Sequence, residues 1–375
     1  MVGLYIHWPF CVQKCHYCDL NSHVRDQIKY SNFVNGICDE LKYWQSRIPS
    51  MDISTIFFGG GTPSLMEPAW VEQIFSTIRN STWSCDPSEI TMEVNPSTAE
   101  ANKLKDFHNL GVNRISFGMQ SFDDAILKSL GRMHSAAEGY DAILKGMSLY
   151  NNVSVDFMYG LPNQQLRHIE QALDKIIELQ LKHVSWYALT IEQNTLFGQL
   201  FKRNQLRLPH DDKVCDMYDQ ISNRLSDNKM IQYEISNFAL PGFESKHNMT
   251  YWRYEDFLGI GPGSHSRLTF NDKKHEIANY KLPEKWLESV DKNGNGIEIE
   301  AELSQDTQNQ EEILMKLRTI EGLSIEDVNR LIPNGRSRIE KLLLTGDLTE
   351  TFGNIHLTQA GFLKYNSILR FLGGM

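Results

Sequence analysis

The sequence predicts an α/β fold: an incomplete parallel (β/α)6 TIM-like barrel with a small C-terminal helical, winged-helix-like domain. Six β-rich runs that end in glycine, proline or polar residues alternate with amphipathic segments, a pattern typical of a parallel sheet with crossover helices. From about residue 300 the pattern changes to short helices and a hairpin signal at Gly353 and Asn354. We therefore expect a partial barrel over 1–200, an aromatic- and glycine-rich continuation over 201–300, and the C-terminal domain over 301–375.

The predicted strands follow one another through the first half of the chain. They are the runs 3–10, 55–60, 89–96, 114–120, 153–160 and 183–190. Between them, segments such as 99–111 and 135–150 place apolar residues at helical spacing. Ligands of parallel α/β folds bind at the carboxyl ends of the strands. The residues that lie in or near this layer are therefore expected to form one site: Cys11, Gly59 to Thr62, Glu93, Gln120 and Asp156.

Composition limits the classes of function. Hydrophobic residues make up 41% and charged residues 22% of the 375 positions, and no apolar run approaches the ~20 residues that span a bilayer. The N-terminus lacks a signal-peptide pattern, so we expect a cytoplasmic protein without a membrane span. The net charge of −10 argues against a broad nucleic-acid surface.

Three of the six cysteines are packed into eight residues, as Cys11, Cys15 and Cys18. This spacing is unlike a disulfide framework, and thiolates are the ligands that iron–sulfur clusters and zinc prefer. A structural zinc ion would need a fourth protein ligand, for which the chain offers His7, His16, His23 or something distant. In an iron–sulfur cluster, three cysteines leave one metal position open to a substrate or cofactor.

The spacing CxxxCxxC directly after an N-terminal strand resembles the radical S-adenosylmethionine superfamily. The resemblance implies a four-iron four-sulfur ([4Fe-4S]) cluster on Cys11, Cys15 and Cys18, whose remaining iron is chelated by S-adenosylmethionine. Reductive cleavage of that cofactor would give a 5′-deoxyadenosyl radical, while the protein supplies binding and orientation.

A narrower resemblance joins the chain to the oxygen-independent coproporphyrinogen oxidase group and its HemW-type relatives. The matching stretches lie between residues 4 and 266 and include LYIHWPFCVQKCHYC, FFGGGTPSL, EVNPST, RISFGMQSF, LGRMH, VDFMYGLP and GIGPGSHS. The resemblance implies a set of residues that contact S-adenosylmethionine: Tyr5, Tyr17, Gly60, Gly61, Thr62, Glu93, Gln120, Arg132 and Asp156. The glycines suit this role because they let the backbone approach a ligand closely.

Three features distinguish the two branches of that group. The oxidases carry a further cysteine where this chain has Leu20, and an N-terminal extension that we expect to be absent because the cluster motif begins at residue 11. In addition, His247, Tyr251 and Trp252 form a sequence that resembles the HNxxYW haem-binding motif of the HemW type. A histidine can ligate haem iron and aromatic rings can cover the macrocycle. Alternatively, His247 caps a turn and the two aromatic residues pack in a core.

We therefore expect a haem chaperone that binds haem, the cluster and S-adenosylmethionine, and that delivers haem to acceptor proteins. A homodimer is also possible. The alternative is a radical enzyme that decarboxylates coproporphyrinogen III in porphyrin biosynthesis. A third hypothesis, nucleic-acid binding through the winged-helix-like unit, is disfavoured by the acidic net charge. The sequence assigns no catalytic residue.

Overall fold

The protein is represented by a computed structural model that describes residues 1–25, 29–332 and 334–373. Its strands are β1 (Val2–Trp8), β2 (Asp52–Gly60), β3 (Ser84–Val94), β4 (Arg114–Gln120), β5 (Asn152–Tyr159), β6 (His183–Ala188), β7 (Ile231–Glu234), β8 (Asn237–Ala239), β9 (Phe257–Ile260), β10 (His265–Phe270), β11 (Lys273–Asn279), β12 (Ile297–Glu302), β13 (Leu323–Ser324), β14 (Leu348–Thr351) and β15 (Asn354–Leu357). Its helices are α1 (Tyr30–Arg47), α2 (Pro68–Arg79), α3 (Thr98–Ala101), α4 (Leu104–Asn109), α5 (Asp124–Ser129), α6 (Ala136–Leu149), α7 (Leu166–Glu178), α8 (Leu196–Lys202), α9 (Asp211–Asp227), α10 (Lys246–Trp252), α11 (Pro283–Asn293), α12 (Gln305–Leu317), α13 (Ile325–Leu331), α14 (Gly335–Leu344), α15 (Gln359–Leu363) and α16 (Tyr365–Gly373).

The six predicted strands are present as β1 to β6 and pair in parallel in chain order. The predicted α/β class with a parallel sheet is therefore confirmed. The strand ends were predicted more closely than some of the starts: β2 begins at Asp52 rather than at 55, and β3 at Ser84 rather than at 89. Apart from the buried Ile53, those early residues are polar or at least partly exposed, so they carry little of the apolar pattern on which the prediction rested.

The sheet continues beyond both edges of the six-stranded unit. Its strand order is β12-β11-β10-β9-β1-β2-β3-β4-β5-β6-β8-β7. Strand β9 joins β1 in parallel, whereas β10, β11 and β12 pair as antiparallel neighbours. Antiparallel neighbours need no crossover helix, which explains why the alternation of strands and helices fades after about residue 200.

A buried carboxylate fastens this extension to helix α1. Glu40 accepts hydrogen bonds from the backbone N–H groups of Gly261 and Gly296, from the indole Nε1 of Trp286 and from the Asn279 side chain, at 2.8–3.1 Å. Burial raises the pKa of Glu40 to about 7, and its donors oppose that rise. The four donors come from the extension and from α11, so one side chain joins three parts of the chain.

The six parallel strands curve around a shared interior. Tyr5 on β1 and Tyr187 on β6 line the same cavity, although four strands separate them in the sheet order. Alternate residues point away from it into the hydrophobic core, where Leu4, Ile6 and Phe117 are completely buried. The interior face is therefore free to carry polar side chains.

Helix α10 closes the end of the interior at which the strands begin. The carboxylate of Glu89 on β3 accepts the backbone N–H groups of Lys246 and His247 at 3.1 and 3.0 Å. The His247 ring lies 3.3 Å from the position that a Cβ on Gly3 would occupy. A carboxylate at the first turn of a helix satisfies otherwise unpaired N–H groups and complements the helix dipole.

The last part of the chain holds α12 to α16 and a three-stranded sheet of order β13-β15-β14. Its hairpin turns at Phe352 and Gly353, next to the predicted position. Arg318, directly after α12, donates to the fully buried carboxylate of Glu234 at 2.7 Å and so ties this part to the main sheet. In the part of the chain that the structure describes, no helix is long and apolar enough to cross a membrane.

Candidate functional site

A cavity of about 510 Å³ opens at the carboxyl ends of the parallel strands. Its lining includes all three clustered cysteines and eight of the nine residues expected to contact S-adenosylmethionine. These are Cys11, Cys15, Cys18, Tyr17, Gly60, Gly61, Thr62, Glu93, Gln120, Arg132 and Asp156. Residues far apart in the sequence thus meet in one place, as the position of their strands predicts.

A smaller cavity of about 200 Å³, here called the inner chamber, lies deeper in the barrel. It is lined by Tyr5, Phe57, Glu93, Arg114, Ser116, Asp156, Ser185, Tyr187, His247, Asn248 and Tyr251. Glu93, Ser116, Asp156 and Tyr187 line both cavities, so the two spaces adjoin. Tyr5, the ninth predicted residue, therefore lies one layer below the others.

The segment 11–18, here called the cysteine loop, carries three free thiols, and each lies beside a polar neighbour. The Thr62 hydroxyl donates to Cys11 Sγ at 3.3 Å, and Arg132 Nη1 donates to Cys15 Sγ at 3.4 Å. Ser22 Oγ lies 3.7 Å from Cys18 Sγ. Hydrogen-bond donors of this kind stabilise thiolates and sulfur ligands, which suits an iron–sulfur cluster.

Burial raises the pKa of both Cys11 and Cys18, and the hydroxyls of Thr62 and Ser22 act in the opposite direction. Among the described residues, no three histidine, cysteine, aspartate or glutamate side chains are arranged to hold a single metal ion. A cluster spreads its thiolate ligands over several irons and so needs them further apart. The three free thiols, each beside a polar group, fit a cluster with three protein ligands.

The glycine run after β2 forms a wall that has no room for side chains. A Cβ on Gly60 would lie 2.6 Å from the His7 ring, and one on Gly61 would lie 2.7 Å from the backbone oxygen of Phe10. Gly60 has φ +116°, a conformation that strongly favours glycine, and its N–H donates to Glu93 Oε2 at 3.1 Å. This wall fits a cofactor that needs close backbone approach.

Two buried carboxyls, Glu93 and Asp156, lie between the cavities. Burial, together with the nearby Asp156 charge, raises the pKa of Glu93 to about 8 against the opposing effects of the Gly60 N–H and Arg114. Burial also raises the pKa of Asp156, against hydrogen bonds from the hydroxyls of Ser185 and Ser116. Near neutral pH, Glu93 therefore holds its proton and can donate a hydrogen bond as well as accept one.

Arg132 connects the cysteine loop to the strands. Its Nη1 donates to Cys15, while its Nη2 donates to Gly118 O at 2.7 Å and to the side chain of Asn95. Its Nε has no hydrogen-bond partner in the described structure. The sequence predicts that the planar Arg132 guanidinium suits a carboxylate. In the structure this guanidinium lies against the cysteine loop.

Sequence reasoning missed Arg114, which is 2% exposed and lines the inner chamber. Its Nε has no partner among the described residues, although the charge of Arg114 acts on Glu93 and Asp156. The strand period of two puts it on the same face as Ser116 and Gln120. That alternation is the signal that could have found it.

The structure separates the three residues of the expected haem motif. His247 is fully buried, with Nδ1 2.8 Å from Thr55 Oγ1 and Nε2 2.7 Å from the Tyr251 hydroxyl. Its ring stacks on Phe57, and burial lowers its pKa to about 3, so the imidazole is neutral. Trp252 lies outside the chamber. Haem iron could therefore bind a nitrogen of His247 only if that nitrogen lost its hydrogen bond with Thr55 or with Tyr251.

Comparisons with known proteins define the class first. Residues 5–176 match the family model described as the radical SAM superfamily. The coproporphyrinogen III oxidase HemN of Escherichia coli superposes with a TM-score of 0.81 at 20% identity, over 99% of this chain and 90% of that one, which shows a shared fold. The chain is a radical SAM superfamily member.

Full-length relatives define the family within that class. The chain is 35% identical to the protein named heme chaperone HemW of Escherichia coli K12, over 98% of this chain and 97% of the relative. It is 32% identical to heme chaperone HemW of Bacillus subtilis over the whole of both chains. A mouse protein, radical S-adenosyl methionine domain-containing protein 1, mitochondrial, is 33% identical over 98% of this chain and 86% of its own length. This chain belongs to the HemW family.

Proposed function

We propose that the chain is a haem chaperone that holds a [4Fe-4S] cluster and S-adenosylmethionine and delivers haem to acceptor proteins in the cytoplasm. The observation that carries this proposal is the full-length similarity to proteins named heme chaperone HemW. Leu20, which stands where the oxidases have a cysteine, favours the same function.

We assign the cluster to Cys11, Cys15 and Cys18, which line the main cavity beside the glycine wall. S-adenosylmethionine would lie in that cavity, where Gly60 and Gly61 allow close approach. The buried carboxyls of Glu93 and Asp156 would orient its amine and hydroxyl groups. When bound, the cluster and S-adenosylmethionine together can supply an electron and a radical precursor. The residues themselves bind, orient and exclude water.

We place the haem contact at α10, where His247 and Tyr251 face the inner chamber; because that chamber of about 200 Å³ is smaller than a haem, binding requires it to open. The Tyr251 hydroxyl occupies His247 Nε2, so iron would replace a hydrogen bond at that atom. We infer that Trp252 supports the helix from its other side. Under this proposal His247 would be the iron ligand, and the Tyr251 hydroxyl would compete with the iron for Nε2.

Haem titration of the purified protein tests the assignment. We expect His247→Ala to weaken haem binding and to shift the Soret band. His183→Ala is the matched control, because His183 is also fully buried and both of its nitrogens are hydrogen-bonded, to Ser154 and Tyr233. If the two variants bind haem equally well and with the same spectrum, His247 is not the ligand.

The second candidate function is oxidation of coproporphyrinogen III, and the shared fold with HemN favours it. Anaerobic incubation with that substrate, S-adenosylmethionine and a reductant separates the two candidates. A chaperone gives no vinyl product.

We also propose a homodimer, which sedimentation of the haem-loaded protein tests. Pull-down with haem-free acceptor proteins tests delivery.

A further inference from the structure

His7 on β1 packs against the glycine wall of the main cavity, and the cluster with three cysteine ligands gives it no role. The ring is 5% exposed and packs against Gly60 of the glycine wall. Its Nε2 lies 2.9 Å from the backbone carbonyl of Asn21, which follows the cysteine loop, and its Nδ1 lies 2.9 Å from the Tyr5 hydroxyl.

The chemistry of these partners fixes the tautomer. A carbonyl oxygen only accepts, so Nε2 carries the proton and donates it to Asn21. Burial lowers the pKa of His7 to about 4, so the ring has one proton, and Nδ1 accepts the hydrogen bond from the Tyr5 hydroxyl. His7 therefore connects the end of the cysteine loop to Tyr5, which lines the inner chamber together with Glu93.

Asn21 is held from the opposite side by the extension of the sheet. Its Nδ2 donates to the backbone oxygens of Pro262 and Lys281, at 2.8 and 2.9 Å. Pro262 belongs to the stretch GIGPGSHS, a motif for which the cluster and the S-adenosylmethionine residues give no explanation. Gly263 touches the Asn21 side chain so closely that a Cβ there would overlap it, and a Cβ on Gly261 would lie 2.5 Å from the His7 backbone oxygen.

We propose that His7 and Asn21 are positioning residues that hold the end of the cysteine loop against the glycine wall, and that GIGPGSHS is the surface on which Asn21 rests. This inference rests on the proposed cluster at Cys11, Cys15 and Cys18. Without the Nε2 donor, the segment after Cys18 loses one inward contact, and without the Asn21 side chain it loses its contacts with the extension. The backbone hydrogen bonds of His23 with Pro9 and Cys11 remain, so either change loosens the position of the third thiol without releasing the loop.

Anaerobic reconstitution of three variants tests the proposal, with iron per chain and the rate of iron loss to a chelator as readouts. His7→Phe removes both ring contacts at similar volume, and we expect iron loss several-fold faster than in the wild type. His7→Gln keeps an amide donor for the Asn21 carbonyl, and we expect it to restore most of the wild-type rate. Asn21→Ala, which leaves the barrel strands intact, should resemble His7→Phe.

His183→Phe controls for the loss of a buried histidine elsewhere in the barrel, since His183 is far from the loop in the sheet order and fully buried. A changed electron paramagnetic resonance signal of the reduced cluster in His7→Phe, absent in His183→Phe, supports positioning over general destabilisation. Equal iron retention in wild type, His7→Phe and Asn21→Ala overturns the inference alone. Failure of the wild type to take up iron overturns the proposed cluster as well. Haem titration of the same variants reads the chaperone function separately.

Discussion

Glu89 holds His247 in place through the backbone, because its carboxylate accepts the His247 N–H at 3.0 Å at the start of α10. The Lys246 N–H and the Ser245 hydroxyl donate to the same carboxylate. The helix that carries the expected haem motif is thus held inside the barrel by backbone contacts, independently of the side chains of that motif. The backbone contacts with Glu89 therefore set the position of the His247 imidazole. Whether a ligand can bind its nitrogens depends on the hydrogen bonds that they make with Thr55 and Tyr251.

Tyr251→Phe should strengthen haem binding if His247 ligates the iron through Nε2. The substitution removes the hydroxyl that lies 2.7 Å from that nitrogen. A hydrogen bond of this kind is worth about 1 kcal/mol, which corresponds to roughly a fivefold gain in affinity. Tyr150→Phe, which removes a buried hydroxyl that donates to Leu104 O at 2.6 Å and lines neither cavity, is the control and should leave the affinity unchanged. A weaker complex with Tyr251→Phe would contradict ligation through Nε2.

Glu93→Gln should flatten the pH dependence of stability. The folded chain holds the Glu93 proton up to a pKa of about 8, whereas the unfolded chain releases it near the ordinary value of 4.5. The folded state binds more protons between these values, so the free energy of unfolding falls as the pH rises through this window. Each unit of pKa difference corresponds to about 1.4 kcal/mol.

Urea denaturation of both proteins across the same pH range measures the effect. Glu40, whose pKa is raised to about 7, acts with the same sign and remains in the variant, so a smaller slope persists. Parallel curves for wild type and Glu93→Gln would show that Glu93 titrates normally.

Glu40→Ala should destabilise the folded chain strongly. It leaves three buried donors, on Gly261, Gly296 and Trp286, without their acceptor, whereas the Asn279 amide keeps Gly261 O and Ser264 Oγ. We expect a loss of at least about 3 kcal/mol in the free energy of unfolding, since unsatisfied buried donors are costly. Urea denaturation measures it, with an alanine substitution at the exposed Glu288 as control. A loss below about 1 kcal/mol would mean that water replaces the carboxylate.

Cys15→Ser should abolish cluster loading, because a serine oxygen is a poor replacement for a thiolate on iron. Iron and sulfide analysis after anaerobic reconstitution measures the outcome. Cys85→Ser is the control, since Cys85 lies at the other end of the barrel strands, on β3. Equal iron in both variants would refute the assignment of the cysteine loop.

The parallel strands could be predicted because their apolar pattern is strong and regularly spaced. The antiparallel extension could not, since β11 begins with the polar run KKHE and β12 is largely exposed, with the sequence IEIEAE. Pairing of β9 with β1 joins residues about 250 positions apart, and no local pattern encodes such a contact.

The candidate site divides in the same way. The cysteine loop and the glycine run are compact motifs whose spacing reveals them. Arg114, Asn95 and Glu100 are ordinary residues singly, and only the folded sheet brings them to the cavities. The separation of the haem motif follows from helix geometry: His247 and Tyr251 are four residues apart and share a face, whereas Trp252 is rotated about 100° further around the helix.

That rotation turns Trp252 toward the C-terminal part of the chain, where the Arg318 guanidinium lies over its ring at 4.7 Å. The indole therefore contacts the C-terminal part of the chain, whereas His247 of the same motif faces the barrel interior. Trp252→Ala therefore measures attachment of the C-terminal part to α10, whereas His247→Ala measures the proposed ligation of haem iron. Loss of haem in a Trp252 variant would carry no information about which atoms touch the iron.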